Sequence, residues 1–146
     1  MVLHMIKLCV GVESVDEIVD WIDRDLVRKR GLGLAAEDTH VTRMMPRRID
    51  ELLDGGSLYW VVKGQVQCRQ RLIDLRPVAG ADGIGRCEIV FEPSVVTTEW
   101  QPRRPFQGWR YLAPKDAPRD LASLGSPQHD DMPDALKAEL AELGLL

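Results

Sequence analysis

The chain predicts an α+β fold with a curved, mostly antiparallel sheet, two helices inserted early and a C-terminal helix. Three observations carry that expectation. Two long alternating runs, 57–63 and 66–78, flank a turn at Gly64-Gln65; a further alternating run follows a glycine-rich connection; and one stretch near the N-terminus has helical period. With 146 residues, 45% of them hydrophobic, the chain is long enough for one core and short for two. We therefore expect a single domain over residues 1–120, followed over 121–146 by a proline-containing connection and an amphipathic helix.

Taken in order, residues 2–10 are rich in Val, Ile and Leu and read as a buried strand ending at Gly11. Ser14 opens a helix: its hydroxyl suits the Glu17 amide, and the Glu17 carboxylate can reach back to the Ser14 amide. Val15, Ile18, Val19, Ile22 and Leu26 recur at helical spacing and define its inward face. Arg28-Lys29-Arg30 complements the helix dipole near the end, and Gly31 can terminate it. A short strand is expected over 40–45, and Pro46 suits the first turn of a second helix that Gly55-Gly56 ends.

The runs 57–63 and 66–78 form a β-hairpin. In its second arm the apolar set passes from Val66 and Cys68 to Ile73 and Leu75, of opposite parity, so a bulge near Gln70 is expected. Gly80, Gly83 and Gly85 mark a turn and not a phosphate cradle, because a strand follows them where a cradle needs a helix. Cys87, Ile89 and Phe91 alternate along that strand, and 95–100 forms another. Pro114, Pro118 and Pro127 punctuate an irregular segment, and Leu136, Leu140 and Leu143 share one side of a last helix over 133–143 that can dock on the body or on a partner.

Charge limits the partners. The formal net charge is −4, yet residues 40–112 are net basic and both flanks net acidic, so a polyanion would meet a local patch and not a basic domain. Arginine far outnumbers lysine, which favours forked or stacked contacts. Cys9, Cys68 and Cys87 lie far apart with no Cys-x-x-Cys spacing and read as reduced, buried thiols. His4 and Lys7 interrupt the apolar N-terminus and no run suffices to span a bilayer, so we expect a cytoplasmic protein with no membrane partner.

The chemistry-bearing stretch is Arg103-Arg104-Pro105-Phe106-Gln107-Gly108-Trp109-Arg110-Tyr111-Leu112, which reads as a binding loop. Arg103, Arg104 and Arg110 offer forks for phosphate or carboxylate, and Trp109 offers a stacking face. Tyr59 and Trp60 point to opposite faces of their strand, so one is core and the other can be presented to a ligand, beside Arg69 and Arg71 from the facing arm. The structural alternative is that Trp109 and Phe106 plug the end of a barrel while the arginines pair with Glu88, Glu92 or Glu99. His4, His40 and His129 are too scattered for a metal triad, and Asp130-Asp131 beside His129 reads as helix capping, so no metal or cofactor is expected. The leading reading is a non-catalytic module that binds RNA, a nucleotide or another planar anion through Tyr59, Trp60, Arg69, Arg71, Arg103, Arg104, Trp109 and Arg110. The alternatives are a protein-interaction adaptor using the C-terminal helix, and an enzyme using His40 or Cys68.

Segments 3–11 and 50–64 (ending Tyr59-Trp60-Val61-Val62-Lys63-Gly64), Asp82-Gly83-Ile84-Gly85-Arg86, and above all the run 103–112 resemble an alphaproteobacterial family of uncharacterised proteins, domain of unknown function 1489. That resemblance implies a bacterial cytoplasmic setting and brings no activity. At the level of fold, the order of Tyr-Trp strand, Lys-Gly turn, long arm, glycine-rich connection and late Pro/Arg/aromatic segment is similar to the PUA-like small barrels of the ASCH and EVE groups. Many of these bind RNA or modified bases, and the likeness speaks to fold alone.

Overall fold

The computed structural model of the chain describes residues 2–124. Strands β1 (His4–Leu8), β2 (Asp38–Thr42), β3 (Ser57–Val62), β4 (Gln65–Ala79), β5 (Gly85–Phe91), β6 (Val96–Pro102) and β7 (Trp109–Leu112) form one sheet. Helices α1 (Val15–Gly31) and α2 (Ile49–Leu53) precede β3. The order across the sheet is β2-β5-β4-β3-β1-β7, with β6 also on β4. The sheet is open and mixed: β1 runs parallel to β3, and the other pairings are antiparallel. The expected helix over 133–143 and the cluster at His129 lie outside the described residues.

Strand β4 joins two halves. Its first part, opposite β3, faces β6 on the other edge, and its second part carries β5, which in turn holds β2. The change of parity expected near Gln70 occurs in two places, at Gln67 between β3 and β4 and at Ile73 between β4 and β5. Two irregularities turn Ile73 to solvent and bring Leu72 and Leu75 into the core, correcting the expected Ile73/Leu75 face. The hairpin turn is Lys63-Gly64 and not Gly64-Gln65; both residues have positive φ, 50° and 78°, the pairing that matches the twist of two strands joined by two residues.

Ser14 caps α1, its Oγ accepting from the Glu17 amide at 3.3 Å, while the Glu17 carboxylate accepts from the Glu13 amide in place of the expected Ser14 amide. The helix continues through Gly31 and buries Ile18, Ile22 and Leu26, whereas Val19 stays partly exposed. These residues pack with Met5, Leu58, Phe91 and Trp109 into the main core on one sheet face. A smaller core of Ile6, Tyr59, Val61, Val66 and Leu112 lies on the other, beneath Phe106 and Ala117. Gly56 lets α2 meet β1: a Cβ there would stand 2.2 Å from the Leu3 carbonyl oxygen.

The largest departure from expectation is β7. The stretch read as a binding loop is loop only to Gly108; from Trp109 it is a strand on the free edge of β1, with Lys7 opposite Trp109 and Met5 opposite Tyr111. Side chains then tie this end of the sheet to the segment after β2. Trp109 Nε1 donates to the Met44 carbonyl at 2.8 Å, and the Tyr111 hydroxyl accepts from the Arg47 and Arg48 amides at 2.9 and 3.2 Å. No helix among the described residues is long and apolar enough to cross a membrane.

Candidate functional site

A hollow of about 290 Å³ opens between the end of β1, the first turns of α1 and the start of β2. The parallel pairing of β1 and β3 sets Lys7 beside Trp60, and the period of β2 turns both Asp38 and His40 toward the hollow. Trp60 forms its floor, with His40 edge-on at 5.6 Å between ring centroids and Phe91 tilted at 5.9 Å. Trp21, 55% exposed on α1, stands at the side. Aromatic walls with a few polar groups are the usual make-up of a small-molecule site.

Its polar groups are wired together. Trp60 Nε1 donates to Gln70 Oε1 at 2.9 Å, and Gln70 Nε2 donates to Asp38 Oδ2 at 2.5 Å and to the Glu92 carbonyl at 3.0 Å. Burial pushes the Asp38 carboxyl above its ordinary range, against the Gln70 hydrogen bond and the more distant Lys29 charge. Burial, aided by the Lys7 charge, pushes His40 down, so its imidazole is neutral at pH 7 and offers one donor and one acceptor. Lys7 makes no hydrogen bond or ion pair among the described residues, leaving its ammonium available to a ligand.

Of the eight residues singled out from sequence, only Trp60 lines this hollow. Tyr59 is buried on the opposite face, against His4. Arg69 is committed beside it: Nε and Nη2 grip the Asp120 carboxylate at 2.8 and 2.7 Å, and Nη1 donates to Ser57. Arg71 is exposed on that same face. Trp109 is 7% exposed and belongs to the core. Among the described residues, the glutamates of the plug alternative engage other arginines: Glu99 pairs with Arg119, and Glu88 lies near Arg76. Arg103 donates to Gln101, Arg104 is exposed, and Arg110 is exposed over the Phe106 ring. The structure therefore distributes these residues over both faces and an edge and does not gather them into one loop-built site.

Cys68 has no exposed surface and its thiol is pushed up to about 12 by burial, so at neutral pH it is neither ionised nor reachable. Among the described residues no group of three or more His, Cys, Asp or Glu is placed to hold a metal. Lys7, Trp21, Asp38 and Gln70 were missed from sequence. Two signals pointed to Lys7 and Asp38: a lysine inside an otherwise apolar strand, and an aspartate two residues before His40 on an alternating segment.

The chain belongs to the family described as protein of unknown function DUF1489, which it matches over residues 5–146. No curated protein and no solved structure matches it.

Proposed function

We propose that this member of the DUF1489 family is a binding module for a planar nitrogen heterocycle, the base of a nucleotide or of a single-stranded RNA, seated on Trp60 in the hollow between β1, α1 and β2. The observation that carries this reading is the combination of aromatic walls with one buried carboxylate, one neutral imidazole and one ammonium that has no partner among the described residues, in about 290 Å³, room enough for a base. Stacking on aromatic rings contributes about 1–3 kcal/mol per base. The proposed setting is the bacterial cytoplasm, where Cys9, Cys68 and Cys87 stay reduced. The proposed architecture is a PUA-like pseudo-barrel whose sheet ends approach through the Trp109–Met44 hydrogen bond.

Titration with single-stranded RNA and with nucleoside monophosphates, followed by tryptophan fluorescence at two salt concentrations, tests the reading. Both ligand types should quench emission, and Lys7→Gln should weaken both. Absence of quenching by every ligand at low salt would refute it.

A further inference from the structure

We propose that Asp38 makes the hollow selective for amino-substituted rings, such as cytosine and adenine, over their keto counterparts uracil and hypoxanthine. The inference rests on the base-binding reading above and adds a direction to it.

The argument starts from Trp60. An indole N–H is a donor only, so the Gln70 oxygen must face Trp60 and the Gln70 amide nitrogen must face Asp38; the flipped amide would set two donors against each other. A second bond from the same nitrogen to the Glu92 carbonyl fixes that orientation from another side. Asp38, 4% exposed, is thereby held as an acceptor at Oδ2. An ionised carboxylate has about four acceptor sites, and among the described residues Gln70 is the one side chain that donates to it. Lys29, whose charge reaches Asp38, spends its own hydrogen bonds and ion pair on the Glu37 carbonyl, Thr39 and Asp25. A buried acceptor that lines a hollow and lacks donors asks for N–H groups from whatever fills it. An exocyclic amine supplies them, whereas a keto oxygen in the same place sets acceptor against acceptor. Lys7, also lining the hollow, supplies a donor for a ring nitrogen or carbonyl of the same ligand.

The fixed amide also dictates the behaviour of a variant. In Asp38→Asn the new carboxamide must turn its oxygen to Gln70 Nε2, which leaves its own NH2 facing the hollow, so a donor replaces an acceptor and the preference should invert. The experiment is calorimetric titration of the full chain with CMP and UMP, and with AMP and IMP, for wild type and Asp38→Asn, each shown folded by its thermal transition. The expected result is binding of CMP and AMP about tenfold or more tighter than UMP and IMP in wild type, the cost of an unmatched buried acceptor, with the order reversed in Asp38→Asn. Equal affinity within each wild-type pair would overturn the selectivity and leave the base-binding reading standing. A folded Asp38→Asn protein that still prefers the amino partner would also overturn it, and no binding of any of the four would remove both.

Discussion

Gln70→Leu is the substitution that most directly probes the wiring of the hollow. Leu matches the shape of Gln closely enough that the packing around Leu58 and Trp60 is kept, so the effect isolates hydrogen bonding. Three groups lose their partner: the Trp60 indole N–H, the Asp38 carboxylate and the Glu92 carbonyl, formerly bonded at 2.9, 2.5 and 3.0 Å. The Glu92 carbonyl is part-exposed and can turn to water, whereas the buried Trp60 N–H and Asp38 carboxylate each cost about 1–3 kcal/mol, with the carboxylate at the upper end. The greater apolarity of Leu returns about 1–2 kcal/mol at a site only 2% exposed. The net expectation is a loss of about 3 kcal/mol, a fall in Tm of about 10 °C for a domain of this size. Asp38, deprived of the bond that favours its charged form, should be driven further upward, so the loss should shrink at acid pH, where the carboxyl takes up its proton. Urea denaturation followed by tryptophan fluorescence and by circular dichroism, at neutral and at mildly acidic pH, measures both quantities. A loss below about 1 kcal/mol at neutral pH would show that water or a rearranged side chain satisfies these groups and would refute the reasoning.

Trp109→Phe removes the donor to the Met44 carbonyl and should cost about 1–3 kcal/mol, while hydrogen exchange of the Arg47 and Arg48 amides accelerates; unchanged exchange there would mean that Tyr111 alone secures the seam. His4 and His40 both have pKa values depressed below 6.5, so their contribution to stability is complete above that pH and is lost as pH falls through the lower folded-state values. Urea midpoints should therefore decline between pH 6.5 and 4.5, less so in His40→Gln, before the depressed carboxylates Asp25 and Glu37 begin to titrate; Asp38, with its raised pKa, acts in the opposite sense. Ser14→Ala should destabilise by about 0.5–1 kcal/mol, the low end for an N-cap, because its bond to Glu17 is long at 3.3 Å; an unchanged urea midpoint counts against the cap. Cys68 and Cys87, each without exposed surface, should react with a thiol reagent only at the rate of global unfolding, and fast labelling of either in native buffer would contradict their burial.

Local signals in the chain were read well where physics is local. The Ser14 cap, the helical stripe of α1 and the alternation of Cys87, Ile89 and Phe91 depend on neighbours within a turn or a pleat. The same holds for the glycine-rich turn, where Asp82 accepts from the Ile84 amide and pairs with Arg86. The site was legible only at Trp60 and His40, because its other members are assembled by pairings distant in sequence. Lys7 meets Trp60 through a parallel register, and Asp38 meets Gln70 only after β2 has joined β5. The segment containing β7 misled for a related reason. Four residues, Trp109 to Leu112, are too few to display a period, and their partner is the first strand of the chain. A shift of parity, likewise, announces that a bulge exists without saying which residue carries it, which is why Gln70 was expected and Gln67 and Ile73 were found.

The pairing of β1 with β7 also sets an order of events during synthesis. His4 finds its partner in Leu112, so β1, made before the other described strands, has one edge without hydrogen-bonding neighbours until β7 has been made. The parallel edge is completed earlier, once β3 appears, but that contact too spans α1, β2 and α2. The local hairpins β3–β4 and β4–β5 have no such wait, so the centre of the sheet can form while its outer seam is still missing. The hollow is lined by residues from Lys7 to Phe91 and needs β1 on β3 and β2 on β5, so it can form once β5 has been made, before the outer seam closes; a protein stalled before β7 would still present an open strand edge to its neighbours.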